Sequence, residues 1–291
     1  MEYITAKEAA EKWGVTERMV RVYHRQGHIP DAYSEFATWY IPADAEKTKR
    51  KPKEVKPSPL LFQKIIKQRN GKQYRGFYEY LKINMVYSSG RMPNNLLTRN
   101  QAEVMYKKDR IFTTSEDIKV NDIVETRTHF LCVDTILTNA MKPLTQTLIN
   151  RLQAQLLSDS CKHRRHAPTP VGYRKTSASK KFGKTTPPAK ISAAKADLIE
   201  KYEAKKSVAL EDILNFPVKF ERIRPYEDCN GRVGHMIMLK ECLRHGTVPF
   251  IIDDKRRTGY LDGIRCWDDS PDVLMDVCIE AQLRFAAQSA L

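Results

Sequence analysis

Residues 220–235 read Phe-Glu-Arg-Ile-Arg-Pro-Tyr-Glu-Asp-Cys-Asn-Gly-Arg-Val-Gly-His, and no other stretch limits the fold and chemistry of this chain so strongly. A carboxylate, Asp228, precedes a short Asn-Gly-Arg turn. The turn is expected to open an apolar helix from Val233 to Arg244, closed by Gly246. A turn that feeds a helix start aims several free backbone N–H groups in one direction, at the positive end of the helix dipole. That geometry suits a phosphate, and a neighbouring Asp suits the Mg²⁺ that a polyphosphate carries.

Composition narrows what can surround this loop. At 291 residues, 41% hydrophobic and 29% charged, the chain is long enough for one substantial core and a small accessory domain. Its longest apolar runs, such as Val248 to Ile252, are far too short to cross a membrane. The start, Met1-Glu2-Tyr3-Ile4-Thr5, has no basic segment leading into an apolar one, so no secretory leader is expected. Cysteines at 132, 161, 229, 242, 266 and 278 form no CxxC pair, which favours free thiols and a cytoplasmic setting over disulfides or a zinc site. The net charge of +15 is unevenly placed. No acidic residue occurs from Ser160 to Ala196, and Lys47 to Lys56 holds six basic residues against Glu54. Such runs favour nucleic acid, nucleotide phosphates or acidic proteins, and equally suit solvated surface and linker.

Along the chain, Thr5-Ala-Lys-Glu8 fits a capping box, Ala9, Ala10 and Trp13 supply an apolar stripe, and Gly14 fits a helix C′ position. Thr16 is positioned to cap a second helix with Met19, Val20 and Tyr23 on one side and Arg18, Arg21 and Arg25 on the other. Tyr33 to Ile41 reads as a hairpin. Two short helices around a tight turn followed by a wing resemble the excisionase/MerR-like helix-turn-helix domains. That resemblance implies that Arg18, Arg21 and Arg25 face DNA; a small helical interaction module is the alternative. Half-site recognition by one copy is weak, so a homodimer is the expected binding form. Residues 47–58, Lys/Pro-rich and aperiodic, mark a linker. The expected division is a 1–46 helix-turn-helix domain, a 47–58 basic linker and a 59–291 domain. In the last, three- and four-residue apolar spacings predict helices over 116–140, 144–157, 188–204, 207–220, 233–245 and 271–286. Val171 to Lys184 reads as a hairpin or flap.

Aligned without gaps, Arg224 to His235 resembles the Fic-family signature His-Pro-Phe-x-Asp/Glu-Gly-Asn-Gly-Arg-x-x-Arg. Further stretches fit the same family: Ile83-Asn-Met-Val-Tyr-Ser-Ser89, Lys142-Pro-Leu144 with Leu148 to Leu157, Val171-Gly-Tyr-Arg174, and Leu239 to Ile252. The resemblance implies a mainly α, Fic-type helical bundle with a β-hairpin flap, preceded by the small winged helix-turn-helix domain. It also implies transfer of AMP from ATP, with Mg²⁺, to a Ser, Thr or Tyr hydroxyl of a target protein. By that likeness Asp228 holds Mg²⁺. Cys229, Asn230, Gly231, Arg232 and His235 lie at phosphate-binding positions, and Tyr173, Arg174 and Lys175 lie on the flap that holds the target backbone.

Three signature positions depart from the family. Arg224 stands where the base His would be, and a guanidinium cannot accept the hydroxyl proton. Cys229 replaces a Gly and is strained by about 1–2 kcal/mol if that position needs φ > 0. His235 replaces the last Arg and cannot make its bidentate phosphate contact. In the stretch Ser89-Gly-Arg-Met-Pro93-Asn94, Pro93 occupies the place of a regulatory Glu, and Gln153 stands where relatives often have His. The expected outcome is a nucleotide-binding protein impaired in AMP transfer. The alternatives are a pseudoenzyme that regulates by binding DNA or protein, and residual catalysis with Glu227 as base.

Overall fold

The computed structural model describes residues 2–15, 17–25, 29–35, 38–46, 59–71, 76–91, 95–112, 118–158, 172–178 and 185–289. The chain folds as two compact units, one of Met1–Glu54 with Lys255–Glu280, the other of Val55–Asp254 with Ala281–Leu291. The sequence pattern places 255–280 in the second domain; in the structure they belong to the first.

The first unit opens with β1 (Tyr3–Thr5), α1 (Ala6–Trp13) and α2 (Glu17–Arg25), followed by β2 (Tyr33–Glu35) and β3 (Thr38–Pro42). The capping box is present: Thr5 Oγ1 accepts from Glu8 N at 3.2 Å, and Glu8 accepts from Thr5 N at 2.7 Å. Gly14, at φ 62°, ends α1 in the left-handed region that the missing Cβ makes accessible. The strands form an antiparallel sheet in the order β1-β3-β2, with Thr5 and Tyr33 both opposite Tyr40. Alternation along the strands turns Ile4 and Ile41 into a core with Ala6, Ala9, Met19, Val20 and Tyr23. From the C-terminal part, Val273 and Cys266 join the same cluster. The helix Arg257–Arg265 (α11) has no counterpart among the expected elements.

The second unit is helical: α3 (Pro59–Asn70), α4 (Phe77–Arg91), α5 (Arg99–Lys108), α6 (Val120–Asn139), α7 (Gln146–Leu157), a 3₁₀ turn (Pro188–Lys190), α8 (Ile191–Glu203), α9 (Leu210–Ile223) and α10 (Asn230–Arg244). A last helix, α12 (Asp272–Ser289), begins in the first unit and ends in the second. Every residue of α10 through Leu243 except Gly231 is buried, so it is the central helix, and its buried Asn230, Arg232, His235, Lys240 and Glu241 each have polar partners. It packs on α9, α6, α7 and α4. Two glycines allow the closest of these approaches. A Cβ at Gly234 would lie 3.4 Å from Pro217 Cβ, and one at Gly231 3.4 Å from Glu221 Oε1. Helix α10 begins at Asn230, three residues earlier than the expected Val233, because the turn before it closes directly into the helix. In the expected flap, residues 172–178 contain no strand. Residues 171 and 179–184 lie outside the described residues, as does Pro93.

Candidate functional site

The site lies between the C-terminus of α9 and the N-terminus of α10. Helix α9 stops where Arg224 turns left-handed (φ 48°, ψ 64°), its N–H still donating to Phe220 O at 2.9 Å. The chain exits into Pro225 and Tyr226 and turns left-handed again at Cys229 (φ 70°, ψ 6°), which caps α10. Asn230 locks the loop between them. Its Oδ1 accepts from Tyr226 N at 3.0 Å and its Nδ2 donates to Tyr226 O at 2.8 Å. The first backbone bond within α10 runs from Val233 N to Cys229 O at 2.9 Å, and no side chain among the described residues caps the helix. The N–H groups of its first turn lie at the positive end of the helix dipole.

Cys229 needs the positive φ that makes a glycine useful, and it carries the cost of a Cβ there. Its N–H donates to Asp228 Oδ1 at 2.6 Å, and Arg232 Nη2 lies 3.1 Å from its Sγ. Arg232 is buried and spans to Glu125 Oε2 at 3.0 Å, with Asp228 Oδ2 at 3.5 Å. Burial alone would lower the Arg232 pKa; Cys229, Glu125 and Asp228 together raise it above its ordinary value. Its guanidinium thus holds the loop onto α6. Asp228, engaged by Cys229 N and near Arg232, keeps 42% of its side chain exposed at this end. Among the described residues no three His, Cys, Asp or Glu side chains group into a metal site. A single carboxylate fits Mg²⁺ that arrives with a polyphosphate, since Mg²⁺ keeps few protein ligands.

His235 lies one turn further into α10, buried, with Nδ1 at 3.0 Å from Ser89 Oγ on α4. Burial lowers its pKa to about 4, so the ring is neutral. His129 on α6 is lowered to about 3 by burial and by the nearby Arg232 and His235. Neither His129 Nε2 nor Gln153 Oε1 has a hydrogen-bond partner among the described residues. Burial lowers the half-buried Arg224 guanidinium, with Glu221 and Asp228 opposing the change. Glu221, one turn before Arg224, is raised by burial to about 7, with Arg224 acting against the shift.

The flap residues separate by role. Tyr173 Oη donates to Gln146 Oε1 at 3.1 Å, and Lys175 is exposed. Arg174 is buried, so its guanidinium does not face a target chain. Nε donates to Arg224 O and Nη1 to Thr176 O, both at 2.7 Å; Nη2 donates to Thr186 O, and the backbone N–H to Pro225 O at 2.9 Å. This clasp satisfies the carbonyl at the end of α9 and fixes the entry to the loop. Glu227 is exposed, its Oε1 3.4 Å from Thr176 Oγ1. In the first unit, Arg21 pairs with Glu17 on α2; the side chains of Arg18 and Arg25 lie outside the described residues.

Sequence reasoning missed Lys195. It is fully buried on α8, donating to Asn150 Oδ1 at 2.6 Å and Tyr226 Oη at 2.8 Å. Its ammonium also sits 5.2 Å from the Tyr173 ring centre and 5.1 Å from that of Tyr226. Burial lowers its pKa to about 7. A Lys at a core position of a helical stripe was the available signal.

Known proteins share this fold. Residues 143–242 match the model of the Fic/DOC family. That stretch is similar to a Fic/DOC domain. A Fic domain containing signalling protein from Bacteroides thetaiotaomicron superposes with a TM-score of 0.62 at 17% identity, over 80% of this chain and 95% of that one. A Fic family protein from Desulfovibrio desulfuricans gives 0.55 at 18% identity, over 82% and 77% of the two chains. Fic-1 (residues 134–508) from Caenorhabditis elegans gives 0.59 at 12%, over 78% and 70%. At these identities the likeness establishes the fold: mainly helical and Fic-type. No curated protein matches the chain. No helix among the described residues is long and apolar enough to cross a membrane.

Proposed function

We propose that the Fic-type domain binds ATP, with Mg²⁺ on Asp228, at the Asp228–Arg232 turn, and that its transfer of AMP to a target hydroxyl is strongly impaired. The observation that carries the binding half is the left-handed Cys229, which leaves the first turn of α10 without a side-chain cap beside the exposed Asp228. The impaired half rests on Arg224, which stands where the Fic signature places its base and cannot accept a proton. Loss of a positioned base costs roughly 10²–10⁴-fold in rate.

Calorimetric titration of ATP with Mg²⁺ tests the reading. Binding is expected, weakened more than about tenfold by Asp228→Ala, a loss of about 1.4 kcal/mol. No heat at millimolar ATP would remove the nucleotide reading altogether. In parallel, labelled ATP should give wild-type auto-modification far below that of Arg224→His. Equal labelling by the two would show that the impairment is not at this position.

A second reading concerns DNA. Helices α1 and α2 around Gly14, with the β2–β3 hairpin following, support a helix-turn-helix role for the first unit. Charge argues for the other unit as the polyanion binder. The second unit holds 36 basic against 20 acidic residues, whereas the first holds 14 basic against 15 acidic. A gel shift at several salt concentrations, with Arg21→Glu beside wild type, separates the two: only loss of the shift in the variant favours the first unit.

A further inference from the structure

Three side chains from three different elements meet beneath the start of the loop. Tyr226, fully buried, donates its Oη to Asn150 Oδ1 on α7 at 2.6 Å and accepts from Lys195 Nζ on α8 at 2.8 Å. Lys195 Nζ donates to the same Asn150 Oδ1 at 2.6 Å, so hydroxyl, ammonium and amide close a ring of hydrogen bonds. The hydroxyl and the ammonium are both enclosed, and each would lack these partners if the other residues of the ring were apolar. The Fic signature has Phe at position 226, so the hydroxyl is an addition of this chain. Filling the space under the loop would need only Phe at 226 and an apolar residue at 195. The closed ring fixes a direction as well as a volume.

This ring reaches the first turn of α10 through the Tyr226 backbone. The Asn230 side chain accepts from Tyr226 N at 3.0 Å and donates to Tyr226 O at 2.8 Å, and Asn230 is the first residue of α10. Pinning Tyr226 therefore pins the turn that follows it. The flap segment is held by the same ammonium, which lies 5.2 Å from the Tyr173 ring centre and 5.1 Å from that of Tyr226. The two rings stack at 6.3 Å and 21°. Next to Tyr173, the Arg174 N–H donates to Pro225 O at 2.9 Å, so both segments that enter the loop converge on Lys195.

We infer that Lys195 and Asn150 are positioning residues: through the Tyr226 hydroxyl they hold the Tyr226–Arg232 turn in the geometry that receives a nucleotide phosphate, which rests on the ATP-binding reading. They act through Tyr226 and Asn230 and are not assigned a contact with the nucleotide.

The test uses the full chain and two readouts, at a temperature where urea curves show every variant folded. Calorimetry with ATP and Mg²⁺ reports the site. Alkylation of Cys229 by iodoacetamide, followed by peptide mass spectrometry, reports the turn whether or not nucleotide binds, because Cys229 is 3% exposed while the turn is held. Tyr226→Phe keeps the ring and removes only the hydroxyl; it should weaken ATP binding more than about fivefold and speed Cys229 alkylation by a similar factor. Asn150→Leu should do the same, whereas Asn150→Asp, which keeps the shared acceptor, should stay near wild type. Because the residues act as one unit, Y226F/N150L should lose no more than the weaker of its two parents. A role in packing alone predicts lower urea midpoints with ATP affinity and Cys229 reactivity unchanged. The proposal is overturned if Tyr226→Phe and Asn150→Leu alkylate at the wild-type rate, or if their effects add in the double variant. Absence of ATP binding by wild type removes the nucleotide reading, and the alkylation rates alone then decide whether the ring holds the turn.

Discussion

His235 Nδ1 lies 3.0 Å from Ser89 Oγ, joining the last position of the Fic-like signature to the helix that precedes Pro93. The pair is enclosed, with Met85, Met238, Phe250 and Ile252 around it. A neutral imidazole and a hydroxyl satisfy each other there without a buried charge, which an Arg at position 235 would have brought.

That enclosure predicts acid sensitivity. His235 and His129 have folded pKa values of about 4 and about 3, below the roughly 6.5 of an unfolded His. Their contribution to stability is therefore complete above pH ~6.5 and is lost as the pH falls toward 4. Each should add a slope of up to about 1.4 kcal/mol per pH unit in that window. Urea midpoints measured from pH 7 to pH 4.5 should fall steeply for wild type and less so for His235→Gln. Parallel curves would mean that His235 does not titrate with unfolding.

Cys229 offers a backbone test. At φ 70° a Cβ is unfavourable, so replacing the thiol by hydrogen or methyl separates strain from packing. Cys229→Ala keeps the strain and loses the contact between Sγ and Arg232. Cys229→Gly loses the same contact but relieves the strain, and should be more stable than Cys229→Ala by about 1 kcal/mol. Chemical denaturation of the two variants gives the difference; an Ala variant equal to or above Gly would show that the loop does not hold the left-handed turn in solution.

These two positions also show what was legible. The loop and the helix after it follow from local residue chemistry, an Asn-Gly-Arg turn and then a mainly apolar run, whereas a positive φ at 229 is suggested only by the resemblance, which has Gly at that position. The capping box at Thr5 and Glu8 and the turn at Gly14 are equally local. Glu125 was not legible, because it meets Arg232 across 107 residues and its own neighbourhood on α6 reads as ordinary helix. Arg174 reads as a basic flap residue, yet it is buried against carbonyls. Sequence does not distinguish a cation facing a ligand from one that closes a helix end. The grouping of 255–280 with the first unit is non-local for the same reason: Val273 is apolar in either setting.

The Arg232–Glu125 pair should behave as a buried ion pair. Removing one partner leaves the other charge unpaired beside Cys229, so Arg232→Met is expected to cost about 3 kcal/mol or more. Replacing both, as R232M/E125M, should recover most of that loss. A double-mutant cycle in urea measures the coupling, and additive losses would mean that the two charges do not interact in solution. ATP affinity in the double variant is a second readout, because it reports whether the loop stays in place once the tether is apolar.

Lys195 makes the opposite end of the pH range informative. Burial holds its folded pKa at about 7, well below the roughly 10.4 of an exposed Lys. The neutral amine is the form the fold prefers, so the stability it contributes is present above pH ~10.4 and is lost as pH falls through 7. Between pH 7 and 9.5 the wild-type protein should gain up to about 1.4 kcal/mol per pH unit relative to Lys195→Met. The comparison with the variant matters, because Tyr226 and Tyr202, both raised by burial, begin to work against the fold above pH ~10. Lys195→Met also removes the donor to Tyr226 Oη at 2.8 Å, which anchors the start of the loop proposed to bind ATP. Its ATP affinity should therefore drop at every pH, while its stability becomes nearly flat over the same interval. If wild type and variant keep a constant difference from pH 7 to 9.5, Lys195 remains protonated in the fold, and the ion–ring contacts with Tyr173 and Tyr226 are strong enough to offset its burial.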